Sequence, residues 1–165
     1  MEVFVRTAMP EDADEIVTMI QELAIYEKYQ LEDVKITAQI IRRDGFGEHP
    51  LFQILVAEID ERLVGYAFYF YTYSAIRAAR NIYLEDLYVR PEYRAKRVGK
   101  KLLAVLARIT VAKQCRKLEW VVFDWNEVGI KFYKKIGATF RQELLKVTLV
   151  SPMLEKLADS DYRGF

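Results

Sequence analysis

Three strand-like segments follow one another with very little chain between them. They are FQILVAEI at 52–59, LVGYAFYFYTY at 63–73 and NIYLEDLYV at 81–89. Only Asp60-Glu61-Arg62 separates the first two, and Pro91 closes the third. Apolar, aromatic and β-branched runs bounded by such breaks predict adjacent, hairpin-like strands. A chain built around them must fold onto a sheet.

The flanking segments read as helices and further strands. Residues 2–7 predict a short strand. Pro10 suits the first turn of a helix, and Glu11, Asp12, Asp14 and Glu15 suit its positive end. Ile16, Ile20 and Leu23 recur at helical spacing and carry that helix to about Tyr26. Thr37 is placed to cap a second helix that ends near Gly45. A third runs from Val98 to about Lys113, with Leu102, Leu103, Leu106 and Ile109 on its apolar face. Residues 118–123 predict a strand. Asn126 and Gly137 predict the two caps of another helix, and 144–150 predicts a last strand. Hairpin-like strands first and β-α-β units after them predict an α/β fold, one mixed central sheet flanked by helices. No repeat or linker divides the chain. The expectation is one domain over 1–165, with a C-terminal tail from about 151 that is amphipathic and then polar, its end mobile.

Composition narrows the class. No apolar run approaches the roughly 20 residues that span a bilayer. The N-terminal segment lacks the basic-then-apolar pattern of a secretion signal. Cys115 is the one cysteine, so no internal disulfide can form, which fits a reducing cytoplasm. His49 is the one histidine, which argues against a histidine-based metal site. The net charge of +1 hides an asymmetry: residues 1–61 carry 14 acids against 5 bases, and residues 90–117 carry 10 bases against Glu92 alone. Such a chain offers a basic site for a polyanion and an acidic surface for a cation, or simply two solvated faces. The nearly balanced total makes nucleic acid a weak partner.

The stretch Tyr83–Leu103, YLEDLYVRPEYRAKRVGKKLL, carries the chemistry. It reads as a strand, a basic loop and a helix. Loop amides and the positive end of a helix bind phosphate. Glu85 and Asp86 lie on the strand just before the loop. A phosphate cradle beside an acid suggests group transfer from a phosphorylated carrier to a basic acceptor. The residues alone leave open whether the two acids serve a site or pair with surface bases.

The chain resembles the GCN5-related N-acetyltransferase superfamily. Arg94-Ala95-Lys96-Arg97-Val98-Gly99 stands where that family carries Arg or Gln, two variable residues, Gly, one variable residue, then Gly or Ala. LAIYEKY (23–29), DGFGEHP (44–50), YLEDLYV (83–89) and WNEVGIKFYKKIGA (125–138) look like successive blocks of one subfamily. That subfamily holds the spermidine/spermine N-acetyltransferases and their thialysine-acetylating relatives.

The resemblance implies a sheet whose two central strands splay apart, acetyl-CoA as cofactor, and a homodimer. It places pantetheine along Leu87, Tyr88 and Val89. The pyrophosphate falls on the amides of the loop Ala95, Lys96, Arg97, Val98, Gly99 and Lys100, Asn126 and the start of its helix line the far side, and Arg94 and Tyr133 also belong to the cofactor site. Two loop positions, Ala95 and Arg97, lack the glycines common there. If position 97 requires positive φ, Arg97 strains the loop.

Residue roles follow from the same resemblance. An alkyl ammonium has a pKa of about 10.4, so its proton must leave before the amine attacks the thioester. Glu85 matches the family base, working through ordered water, and Asp86 the anchor of the cationic substrate. Strand alternation points the two acids to opposite faces unless a bulge intervenes. Tyr133 matches the acid that protonates the departing thiolate. Tyr26, Glu27, Glu119, Trp120 and Val121 match segments that touch the acceptor, and Glu143 matches a C-terminal acid. Sheet core is the competing reading for Trp120 and Val121. Arg77 and Arg80 stand in and beside a loop where polyamine-specific relatives carry an acid and a Trp. They would repel a long polycation, which favours a short diamine or a lysine-like amino acid. The expected activity is acetyl transfer to a primary amine of a small cationic metabolite by direct attack in a ternary complex. A non-catalytic acyl-CoA-binding module and a protein N-acetyltransferase are the alternatives.

Overall fold

Five strands form one sheet in the order β1 (Phe4–Thr7), β2 (Gln53–Ile59), β3 (Arg62–Ser74), β4 (Ala79–Val89) and β5 (Leu118–Glu119). The computed structural model describes residues 2–159. The first four strands are antiparallel to their neighbours, and β5 runs parallel to β4. The sheet is therefore mixed. Asp60 and Glu61 make the two-residue turn between β2 and β3, both at positive φ, 49° and 62°. A turn of that hand matches the right-handed twist of the strands it joins.

Helices cover the sheet. After a 3-10 turn at Pro10–Asp12 comes α1 (Ala13–Tyr26), then α2 (Ala38–Phe46), whose cap Thr37 accepts a hydrogen bond from the Ile40 amide at 3.2 Å. Ile16, Met19 and Leu23 of α1 and Ile41 of α2 join Ile54, Val56, Tyr66 and Tyr88 of the sheet in one buried cluster. Next in the chain, α3 (Val98–Ala112) buries Val98, Leu102, Leu103 and Leu106 and packs on β2, β3 and β4. Truncating one of these fully buried aliphatic side chains to Ala costs about 2–5 kcal/mol.

The chain groups into two compact units, one ending at Val121 and the other beginning at Val122. The second contains α4 (Glu127–Lys135) and a short α5 (Met153–Ala158). Asn126 caps α4 by accepting from the Gly129 amide at 3.0 Å. Gly137, at φ 86°, ends it: the Gly137 amide donates to Lys134 and the Ala138 amide to Tyr133. That pair of bonds is a Schellman motif.

Two expected strands are corrected. The strand at 118–123 is formed only at Leu118–Glu119. The segment 144–150 forms no ladder, and its Leu145 and Val147 are 87% and 90% exposed. β-propensity without a partner edge leaves backbone donors and acceptors to water, and a strand does not form. The expected amphipathic start of the tail is α5; its end lies outside the described residues.

Candidate active site

β4 and β5 part company early. They pair only at Ile82 with Leu118 and Tyr83 with Glu119. β4 continues six residues further to Val89, bonded to β3 on one side only. From Leu84 onward its other edge forms no ladder, so it offers backbone donors and acceptors to a guest. β5 ends at Glu119, so it is the loss of a strand partner that frees this edge of β4.

A bulge sits just beyond the last β4–β5 pair. Phe68 of β3 lies opposite Asp86, and Tyr69 opposite Leu84, so Glu85 is the extra residue in β4. A bulge re-aims side chains and resets the alternation of faces. Asp86 therefore shares a face with Tyr83 and Tyr88, and the expectation of two acids on opposite faces gives way to a local cluster.

Glu27 completes that cluster. Lys28 takes φ 68° and ends α1, with its amide donating to Ile25 and the Tyr29 amide to Ala24. The turn leaves Glu27 as the helix cap, within electrostatic reach of Glu85. Burial raises the Glu27 carboxyl above its ordinary range, and the Glu85 charge adds to the shift. Asp86 is pushed up to about 7, chiefly by burial. The Tyr66 hydroxyl, which donates to Asp86 Oδ2 at 3.1 Å, opposes the shift, while Glu85 and Glu27 add to it.

Neighbouring acids are neutralised by Arg90. Arg90 pairs with Glu15 at 2.7 Å and Glu22 at 3.0 Å, and Glu22 also accepts from the Tyr88 hydroxyl at 3.0 Å. Among the described residues, no basic side chain forms an ion pair with Glu27, Glu85 or Asp86. Carboxylates clustered at a free strand edge with no basic partner among the described residues favour a cation.

Past β4, a 3-10 turn at Pro91–Tyr93 leads to the basic loop. Ala95 and Arg97 hold φ 61° and 66°. Arg97 is the residue before α3 and makes no side-chain cap, so the first amides of the helix receive no bond from it. Arg94 donates from Nε to the Val89 carbonyl at 3.0 Å, and its guanidinium lies 4.9 Å from the Tyr26 ring centre and 6.0 Å from that of Tyr88. Lys96 sits 5.1 Å over the Tyr93 ring. Cationic side chains and uncapped helix amides together suit an anion.

The acetyltransferase (GNAT) family matches residues 14–138. The chain belongs to the GNAT acetyltransferases. It is 42% identical to the thialysine N-epsilon-acetyltransferase of Sus scrofa, over 82% of this chain and 84% of that one. It is 36% identical to the human spermidine/spermine N(1)-acetyltransferase-like protein 1, over 81% of this chain but 20% of that much longer protein. Among solved structures, an integron cassette protein from the mobile metagenome of V. cholerae superposes with a TM-score of 0.80 at 27% identity, covering 97% of this chain and 99% of that one.

Several expected GNAT site residues come together in the first unit. Glu27, Glu85 and Asp86 cluster, Tyr26 stacks under Arg94, and Leu87, Tyr88 and Val89 lie on the part of β4 beyond its pairing with β5. Glu119 stands opposite Tyr83 and pairs with Lys117 at 2.5 Å. Val121 is 62% exposed, so it is not sheet core, and Trp120 is half-buried. In the second unit Asn126 is the helix cap, and Tyr133 is buried with its ring 5.4 Å from Phe132. Glu143 is exposed and bonded to Arg141. Arg77 and Arg80 are both exposed; Arg80 also lies over Tyr71 and donates to the Lys113 carbonyl. Among the described residues, no group of three or more His, Cys, Asp or Glu is arranged to hold a metal ion, and no helix is long and apolar enough to cross a membrane. Tyr66 is the residue that motif reasoning passed over. Its one signal was a hydroxyl at a core position of a central strand.

Proposed function

We propose that this chain transfers the acetyl group of acetyl-CoA to a primary amine of a small cationic metabolite. The acceptor is a short diamine or a lysine-like amino acid such as thialysine, and attack is direct, in a ternary complex. The observation that carries this reading is the cluster of Glu27, Glu85 and Asp86 without a basic partner among the described residues, at the point where β4 leaves β5. The family and the substrates named in its relatives point the same way.

The residues present fit acetyl-CoA. The edge of β4 at Leu87, Tyr88 and Val89 offers main-chain groups to the pantetheine amides. Arg94, Ala95, Lys96, Arg97, Val98, Gly99 and Lys100 supply positive charge and helix amides for the pyrophosphate; the family resemblance assigns Asn126 and Tyr133 to the cofactor as well. Acetyl-CoA supplies a reactive thioester and a thiolate leaving group.

Each side chain has a separate task. Asp86 and Glu27 hold the ammonium, helped by Tyr26, Glu119, Trp120 and Val121. Glu85 receives the ammonium proton, directly or through water, so that the nitrogen becomes a nucleophile. Tyr133 returns a proton to the departing sulfur. Arg77 and Arg80 disfavour long polycations. Residues 1–165 act as one acetyltransferase domain in this reading, as a homodimer. A cytoplasmic location fits a chain whose lone Cys115 has no partner thiol.

The test is a panel of putrescine, spermidine, spermine, lysine and thialysine, assayed for CoA release under identical conditions. Turnover with thialysine or putrescine above spermine is expected. No binding of acetyl-CoA by calorimetry at millimolar concentration would remove the reading, and acetylation of peptides with no turnover of the panel would replace it with a protein acetyltransferase. Sedimentation velocity checks the dimer, and cell fractionation the location.

A further inference from the structure

We propose that Tyr66 is a positioning residue for the amine acceptor: its hydroxyl holds Oδ2 of Asp86 and leaves Oδ1 to receive the ammonium, which rests on Asp86 being the anchor proposed above. Tyr66 is 0% exposed, in the middle of β3, within the cluster that Ile16 and Met19 line from α1. A phenylalanine would fill that space equally well. A hydroxyl placed there must find a partner, because an unbonded one costs about 1–3 kcal/mol in such surroundings. Its hydrogen bond is to Asp86 Oδ2 at 3.1 Å.

The bulge makes this bond possible. Tyr66 stands opposite Tyr88 and Phe68 opposite Asp86, so Tyr66 and Asp86 are diagonal neighbours on one face. Ile16 and Met19 of α1 and Ile41 of α2 share its buried cluster, so the Tyr66 ring is held by packing. The carboxylate it holds is then fixed in plane before any substrate arrives, which lowers the ordering cost of binding.

The groups facing Asp86 are Tyr66 from β3, Glu85 beside it on β4 and Glu27 at the end of α1. Tyr88, further along β4, turns its hydroxyl to Glu22 instead. Only Tyr66 favours the ionised form of Asp86; burial and the two carboxylates oppose it. Loss of the Tyr66 hydroxyl should therefore leave more of Asp86 protonated near neutral pH and unable to hold an ammonium.

The experiment compares full-length wild type, Tyr66→Phe, Asp86→Asn and the double variant, with the amine identified in the panel, from pH 6 to 9. For Tyr66→Phe the KM of the amine should rise about tenfold, the KM of acetyl-CoA should stay put, and the acid limb of kcat/KM should move to higher pH. On the Asp86→Asn background, Tyr66→Phe should add less than about twofold. An unmoved amine KM and acid limb, or a full effect on that background, overturns the proposal. A second readout needs no turnover: 13C NMR titration of the Asp86 carboxyl should give a higher midpoint in Tyr66→Phe, and an unchanged midpoint sinks the pairing itself. Wild type inert toward every amine would sink the acceptor reading, and this proposal with it, whatever the titration shows. Should Tyr66→Phe not fold, 3-fluorotyrosine at position 66 keeps ring and hydroxyl; its stronger donor should lower the Asp86 midpoint, and no movement overturns the proposal.

Discussion

Ala95 and Arg97 both hold left-handed backbone, φ 61° and 66°, two residues apart in the loop that enters α3. For residues with a Cβ that conformation costs about 1–2 kcal/mol each, partly offset because glycine loses more freedom on folding. Glycine is common at these positions in the family that the loop resembles. Ala95→Gly and Arg97→Gly should therefore each stabilise the protein, by about 0.5 kcal/mol. Thermal unfolding of each variant without ligand is the check, and a lowered midpoint for both would show that the loop carries no strain.

Glu85 is the unpaired residue of the β4 bulge, so its side chain can change without disturbing a ladder partner. Glu85→Gln keeps its size and removes its basicity. General-base catalysis contributes about 100-fold or more, so kcat at pH 7 should fall by about that factor. The deficit should shrink as pH rises toward the amine's own titration, where solvent deprotonates the acceptor. A kcat unchanged at pH 7 would assign the proton to another group.

Much of this was legible in the chain, and the gaps share a cause. Thr37, Asn126 and Gly137 act through bonds to amides and carbonyls within a few residues, so side-chain type and spacing suffice to find them. The Asp60-Glu61 turn was equally local. The segments 118–123 and 144–150 have strand-like composition, but a strand exists only where another edge receives it, and that is a tertiary fact. Alternation could not by itself place Glu85 and Asp86, because one extra residue reverses every face after it. Tyr66 was missed for a related reason: its bond to Asp86 spans two strands and depends on that same bulge.

Tyr133 lies within α4, two residues before its end, and its carbonyl accepts from the Ala138 amide in the helix stop. The backbone role is independent of the hydroxyl, so Tyr133→Phe keeps the helix stop, and circular dichroism checks that the variant is folded before its rate is read. If the hydroxyl protonates the departing thiolate, kcat should fall by about 100-fold with acetyl-CoA affinity unchanged by calorimetry. Equal rates for the two proteins would remove Tyr133 from the chemistry.

Asp86 links stability, pH and binding. Its carboxyl titrates at about 7 in the folded chain against an ordinary 3.8, so between those values the native state holds a proton that the unfolded chain has released. The stability this group contributes is therefore fully present below about 3.8 and lost as pH rises through 7. Asp86→Asn should make the substrate-free protein more stable than wild type at pH 8, by something on the order of 2–4 kcal/mol, with the gap closing by pH 4. Calorimetric unfolding at the two pH values measures it, and a variant less stable than wild type at pH 8 would contradict the burial of the charge. Binding should show the other side of the same linkage. An ammonium favours ionised Asp86, so amine binding at pH 6.5 should release protons, visible as a binding enthalpy that changes with the ionisation enthalpy of the buffer. In Asp86→Asn that buffer dependence should disappear along with most of the affinity.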